Sequence, residues 1–327
     1  MNILTRESEV YDSKINISTQ SDEGTMYKMV GHGGQGTMTG YEVFPGIRLF
    51  YNDFHMGNCD ETKYICSDII EINYCKQGRI ECEFQNGSYV YLEEKDLAVN
   101  MSNNRKRGYC FPLESYHGIS IVIDIPKATQ SLSFILKNIS IDLYDLRDKL
   151  CMDNQCFIMR SKGLVESIFL ALYTVPNEMK HEYFKLKVLE LLLFLRGIDV
   201  SECCQERQCF HKSQVEIVKT IKEYMTNDLK RHDTLEELSD QFGIPLTAMK
   251  TCFKGVYGNS VFAFMRGYRM QAAAILLRQG NESVTFIAGK VGYTNPSKFT
   301  AAFKDEIGIS PLKYRKRNEW KKSLLDL

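Results

Sequence analysis

One stretch of this chain, "LEELSDQFGIPLTAMKTCFKGVYG" from Leu235 to Gly258, returns in altered form as "IAGKVGYTNPSKFTAAFKDEIG", Ile287 to Gly308. Ala288 stands for Ser239, Gly292 for Gly243, Phe303 for Phe253 and Gly308 for Gly258. The offset is 49 residues at the first two pairs and 50 at the last two. Repetition constrains a fold strongly, because each copy must be one supersecondary unit. In the first copy Thr234 precedes the apolar run and Glu237 comes three residues later, a capping-box pattern. A helix through Leu235, Leu238, Ser239 and Phe242 then meets Gly243, where a positive φ costs little. Pro245 is tolerated in the first turn of a second helix. A small residue, three more, a glycine and then an anchored helix is the helix-turn-helix layout. Between the copies, "SVFAFMRGYRMQAAAILLRQG" (Ser260 to Gly280) is a strong helix former that would hold the two units at a fixed separation.

Charge divides the chain in the same place. The 327 residues carry 41 basic and 41 acidic side chains. From His211 onward there are 19 Lys and Arg against 12 Asp and Glu, a surplus of seven; the front holds 22 against 29. A basic back half suits a polyanionic partner.

The front half reads differently. The first forty residues are polar and glycine-rich and read as mostly irregular. "GHGGQG" (Gly31 to Gly36) formally matches a dinucleotide fingerprint. It leads into strand-like "TMTGYEVF" rather than a helix, so a loop is expected there. From about Tyr41 to Ile125 short runs such as "IRLFYNDF", "DIIEINYC", "RIECEF", "SYVYLEE", "DLAVNM" and "HGISIVIDI" are rich in β-branched and aromatic residues. Gln77-Gly78 and Asn86-Gly87 punctuate them. This predicts a small antiparallel barrel or jelly roll with room for a ligand. His55, Tyr74 and His117 are its candidate polar pocket groups. No His-x-His with a Glu beyond it accompanies them, so no metal and no cofactor is expected. From Pro126 the pattern turns helical, and the segment Glu182 to Ile198 is apolar around much of its circumference. It serves either as core or as a face shared with a second subunit.

The sequence therefore predicts an α+β chain: residues 1–200 a barrel with helices after it, 201–213 a polar linker, and 214–320 an all-α unit with two helix-turn-helix motifs. Cys203, Cys204 and Cys209 with His211 are loosely zinc-like. The eleven cysteines, an odd number without CxxC pairs, fit unpaired thiols in a reducing cytoplasm better. The longest apolar run, "VLELLLFLRGI", is too short for a membrane span and carries Glu190 and Arg196.

Val215 to Arg317 resembles the DNA-binding domain of the AraC/XylS transcription regulators. The resemblance rests on "LEELSDQFGI", "YRMQAAAILL" and "IAGKVGYTNPSKFTAAFKDEIGISPLKYRK", about a third of the chain. "IIEINYCKQGRIECEF" and "FPLESYHGISIVIDI" resemble the family's cupin-like sensor halves, slightly more those of siderophore-responsive members. The resemblance implies seven helices that set two recognition helices into successive major-groove segments of double-stranded promoter DNA. On the first, Thr247, Lys250 and Thr251 would face the groove, with Met249, Cys252 and Phe253 inward. Many members carry arginine at the position of Thr251, whose absence here removes one bidentate guanine contact. On the second, Asn295 would cap the helix and Ser297, Lys298 and Ala301 would face the groove. Lys254, Lys304, Lys313, Arg315, Lys316 and Arg317 read as phosphate neutralisers.

The function expected is a cytoplasmic regulator, by family habit an activator that engages RNA polymerase. It would answer to a small-molecule effector and pair as a homodimer through its N-terminal helices. The alternative is a cupin-type enzyme tethered to DNA, for which the sequence offers little: no metal triad, nucleophile elbow or phosphate loop.

Overall fold

The computed structural model describes residues 15–21, 24–31, 33–59, 68–84, 87–104, 109–152, 156–203 and 208–317. It divides into two compact units, residues 1–211 and 212–327.

The first unit is an antiparallel sheet with helices on one face. Its strands are β1 (Ile15–Ser21), β2 (Gly24–Gly31), β3 (Gly34–Phe44), β4 (Ile47–His55), β5 (Asn58–Cys59), β6 (Ile69–Glu83), β7 (Ser88–Glu93), β8 (Asp96–Met101), β9 (Tyr109–Cys110), β10 (Tyr116–Asp124), β11 (Phe157–Arg160) and β12 (Phe210–His211). The main path runs β1-β2-β3-β4-β10-β6-β7-β12. Strand β6 is long enough to serve two neighbourhoods. Ile69 to Gly78 pairs with β10, Ile70 to Tyr74 also with β8, and Arg79 to Glu83 with β7.

Alternation along these strands sends residues to two different cores. Leu49, Ile72, Tyr74, Ile119 and Ile121 face the helices α1 (Ile125–Asn138), α2 (Leu143–Leu150), α3 (Leu164–Thr174) and α4 (Lys180–Gly197). Phe50, Phe54, Ile80 and Tyr116 face the other way, with Tyr27, Met29 and Met38. Both faces of β4 and β10 are thus apolar.

The structure corrects three of the sequence expectations. The first forty residues are not mostly irregular, since β1, β2 and most of β3 lie within them. "GHGGQG" is the β2–β3 hairpin, in which Gly31 pairs with Gly34 (His32 is outside the described residues). A Cβ on Gly34 would sit 1.8 Å from the His55 carbonyl oxygen, so close strand approach explains the glycine without any phosphate. Gln77-Gly78 is not a turn. β6 runs through it with a bulge, His117 pairing with Gln77 and Gly118 with Cys75, and Gly78 takes φ +90°. At Gly87, by contrast, φ is +78° and the amide donates to Phe84 O at 3.0 Å, a tight connection into β7 (Asn86 is outside the described residues).

Part of the stretch read as a linker is built into this unit. Val200–Cys203 forms a helical turn, and β12 pairs Phe210 with Tyr89 and His211 with Ser88. The side chains of Cys203 and Cys204, and with them the zinc-like cluster, lie outside the described residues. Cys75 and Cys151 carry free, buried thiols, and Cys209 is exposed.

The second unit is all helical: α5 (Lys212–Asn227), α6 (Leu235–Phe242), α7 (Leu246–Tyr257), α8 (Val261–Gln279), α9 (Val284–Lys290), α10 (Pro296–Ile307), and residues 311–317, also helical. The expected class and element order are both present. Among the described residues no helix is long and apolar enough to cross a membrane.

Candidate nucleic-acid interface and the N-terminal cavity

Each recognition helix is fixed by short-range chemistry. The Thr234 hydroxyl accepts from the Glu237 amide while the Glu237 carboxylate accepts from the Thr234 amide, the reciprocal box that starts α6. Gly243 ends α6 at φ +61°, and Ser239 Oγ donates to Ile244 O at 2.7 Å across the turn. In the second copy Ser283 caps α9, Gly292 takes φ +84°, and Asn295 Oδ1 accepts from the Ser297 and Lys298 amides at 2.9 and 3.2 Å.

The changing repeat offset has a structural cause. Two residues separate Gly243 from the start of α7, whereas three separate Gly292 from the start of α10. The second turn is one residue longer. Its extra residue leaves room for Asn295 as a side-chain cap, while Pro245 at the equivalent place makes no side-chain cap bond.

Helix α7 buries Met249, Cys252, Phe253, Val256 and Tyr257. Its outward stripe, at spacings of three and four, is Thr247, Lys250, Thr251 and Lys254; Thr251 is half-buried and the other three are exposed. Helix α10 buries Phe299 and Phe303 and exposes Ser297, Lys298, Ala301 and Lys304. Every groove-facing residue expected from the sequence therefore lies on an outer helix face. Lys313, Lys316 and Arg317 are exposed as well. Arg315 is different: it is half-buried, and one arm donates to Glu282 O at 2.5 Å, tying the C-terminal helical turn to the start of α9.

Helix α8 belongs to both halves of this unit. Near its start Phe264 meets Phe253 and Tyr257, with ring centroids 5.5 and 4.9 Å apart. Near its end Met270, Ala273, Ala274 and Leu277 join Ile287, Val291, Phe299 and Phe303 in one core. Burying each such phenylalanine is worth about 1.5–3 kcal/mol. Polar ties add to it. Arg266 pairs with Asp305 of α10, and Arg269 donates to Arg231 O. His232 Nε2 lies 2.8 Å from Gly292 O. Burial lowers the Arg269 pKa from its ordinary value. Arg269 Nη1 lies 3.4 Å from His232 Nδ1, and sequence patterns do not single out this Arg269–His232–Gly292 chain; only proximity in the fold reveals it.

In the first unit a narrow cleft, with a free volume of about 20 Å³ or roughly the room for one water, lies among Met29, Met38, Phe50, Asn52, Phe54, Ile80, Tyr109, Tyr116, Ser120 and Val122. It is apolar except for one ladder across three adjacent strands. Asn52 Nδ2 donates to Ser120 Oγ, and Ser120 Oγ donates to Asn73 Oδ1, both at 2.7 Å.

None of the three pocket candidates lines this cleft. Tyr74 points to the opposite face and stacks on Phe169 at 4.2 Å between ring centroids; burial raises its phenol pKa. His55 and His117 also lie on that face, at its uncovered end, where both approach Asp53. The physical reason is strand phase: these residues alternate with Phe54 and Tyr116, which do face the cleft. Asn52 and Ser120 escape sequence reasoning because a polar residue within an apolar strand carries no label for its side.

The comparisons with known proteins bear on the second unit. Residues 238–317 match the family model described as a helix-turn-helix domain. The multiple antibiotic resistance protein MarA of Escherichia coli is 26% identical over 101 residues, 31% of this chain and 80% of MarA. The HTH-type transcriptional regulator AlkR of Acinetobacter baylyi is 31% identical over 85 residues, 26% of this chain and 28% of AlkR. The C-terminal unit is a helix-turn-helix domain similar to those of AraC-like regulators. Among solved structures, the C-terminal domain of AraT, a response regulator from Geobacillus stearothermophilus, is 28% identical. That match covers 31% of this chain and 84% of that one, at a TM-score of 0.30. The chain spans only about a third of two other relatives: 33% of a Streptomyces lividans AraC-like protein and 37% of the regulator Rob of Salmonella typhimurium. The segment that matches the family model, residues 238–317, lies within the second unit.

Proposed function

We propose that the chain is a sequence-specific, double-stranded-DNA-binding transcription regulator of the AraC type, acting in the cytoplasm. One observation carries the reading: two helix-turn-helix units, joined through α8, each present an exposed polar and basic helix face. Thr247, Lys250, Thr251, Ser297, Lys298 and Ala301 take the base edges. Asn295 holds α10 in register. Lys254, Lys304, Lys313, Lys316 and Arg317 take phosphates. Arg315 acts from within, by fixing the C-terminal turn on which Lys316 and Arg317 ride. Helix α7 contains no acidic residue. The test is footprinting with residues 212–327. Protection of two adjacent major-groove segments about 10 bp apart supports the reading; protection of one segment overturns it.

The first unit is the sensor in this proposal. Its effector enters the cleft around Asn52 and Ser120 and is a small, mostly apolar molecule with at least one hydrogen-bonding group. Leu186 and Leu193 lie exposed seven residues apart on α4 and offer the face for a homodimer. Activation through RNA polymerase is the expected output. An effector shifts the DNA-bound population only by its differential affinity for two states. DNA affinity should therefore respond to it in the full chain and not in residues 212–327.

A further inference from the structure

The uncovered end of the helix-bearing face holds a group that the proposed regulator does not use. His55 Nε2 and His117 Nδ1 each lie 3.1 Å from the same oxygen, Asp53 Oδ1. The imidazole centroids are 5.3 Å apart, and the three ligand atoms all lie within 4.8 Å of one another. We propose that Asp53, His55 and His117 form a binding site for a divalent transition-metal ion of the zinc class.

Strand geometry brings the three together. Asp53 and His55 are two apart on β4 and so share a face. His117 is the direct cross-strand partner of Asp53 on β10. This arrangement holds three side chains on two hydrogen-bonded strands, without a mobile loop. Zinc–nitrogen and zinc–oxygen bonds of about 2.1 Å at tetrahedral angles put neighbouring ligand atoms about 3.4 Å apart. The two 3.1 Å edges already present are within a few tenths of an ångström of that value, and the third, between the imidazole nitrogens, lies within 4.8 Å and closes by rotation of the exposed His55 ring as an ion enters.

Ligand chemistry then selects the ion. Two imidazoles and one carboxylate suit zinc, cobalt, nickel or copper; calcium and magnesium prefer all-oxygen sites. The lysine of the β6 bulge is engaged elsewhere. Lys76, the extra residue of the β6 bulge opposite His117, rests its ammonium over the Tyr173 ring at 3.8 Å. His55 and Asp53 side chains are 63% and 53% exposed, which keeps a fourth position open to water or to an added ligand. Bound metal would join β4 to β10, the same two strands that carry Asn52 and Ser120 on the opposite face. Metal binding at this site does not depend on the proposed effector.

The test uses the untagged full chain, stripped with chelator and titrated with cobalt(II), read by electronic absorption and by calorimetry. The expected result is one ion bound with d–d bands of a nitrogen and oxygen site, no thiolate charge-transfer band, and no displacement by excess magnesium. His55→Gln and His117→Gln should each weaken binding at least about tenfold. Chelator-treated His55→Gln, an exposed change, should melt like the parent, which separates ligand loss from misfolding. Unchanged affinity in both variants overturns the site. So does a thiolate band, which would move the ion to cysteines.

Discussion

The two turn glycines look equivalent in the repeat but should differ sharply on substitution. Gly243 and Gly292 both sit in the left-handed region, at φ +61° and +84°. An alanine there costs about 1–2 kcal/mol from backbone sterics alone. At Gly243 a Cβ would meet nothing within 4 Å, so Gly243→Ala should cost about 1 kcal/mol and little more. At Gly292 the Cβ would lie 2.3 Å from Leu229 O and 3.2 Å from Lys230 Cα, with His232 Nε2 at 3.3 Å. Those are mostly backbone atoms, so the α5–α6 connection must retreat by more than half an ångström. That displacement pulls on the His232–Gly292 contact. Overpacking of this kind adds about 1–3 kcal/mol, for a total of about 2–5 kcal/mol. Marginal domains hold only about 5–15 kcal/mol in all. Urea unfolding of residues 212–327 gives both numbers, provided the slope m is unchanged between variants. Equal losses, or a larger loss for Gly243→Ala, would refute the steric reasoning.

Lys250→Ala and Lys298→Ala should each relax base preference at about one position, at about 1–3 kcal/mol, whereas Lys316→Ala should weaken all sequences alike and flatten the salt slope by about one unit; binding to a randomised operator pool at two salt concentrations separates the two kinds of loss. Ser120→Ala cuts the Asn52–Ser120–Asn73 ladder and should reduce effector response of the full chain without changing DNA affinity in its absence, measured by anisotropy. Burial pushes the Cys75 and Cys151 thiols up to about 12. Because the neutral thiols are favoured by folding, this stabilisation is complete below their ordinary pKa near about 8.5 and fades as pH rises from there toward about 12. At about pH 8 mass spectrometry should accordingly find exposed Cys209 alkylated and Cys75 and Cys151 intact, and their labelling in the native chain would contradict the burial. Leu186→Glu with Leu193→Glu should lower the sedimentation coefficient if α4 is a shared face, and an unchanged value would return those leucines to ordinary surface.

Legibility in the sequence tracks how locally each feature is encoded. Thr234 with Glu237, Asn295 before Pro296, and the paired glycines act within three or four residues of themselves, so the second unit is readable almost element by element. Five strands, β4, β6, β7, β8 and β10, are readable too, from β-branched and aromatic content. The cleft is not. Along β4 both Leu49–Tyr51 and Phe50–Phe54 read as inward-facing, because the strand is buried on both sides. Nothing in its alternation says which set meets the helices. Sequence reasoning therefore does not show that His55 and His117 face away from the cleft, and it leaves Asp53 unmarked. The short spacing Asp53-x-His55 on a strand is an available signal, but His117 joins them only through the β4–β10 register.

The longer second turn has a consequence for whatever the α7 and α10 faces meet. Two copies with identical turns and identical faces would read one short word twice. Here one helix begins on Pro245 and the other behind an Asn295 cap, and α8 fixes their order. In the proposed reading the target acquires an arrow: inverted in place, the same base pairs would be offered to the wrong helices. A promoter could then encode, by the orientation of a single site, on which side of it the rest of this chain is displayed.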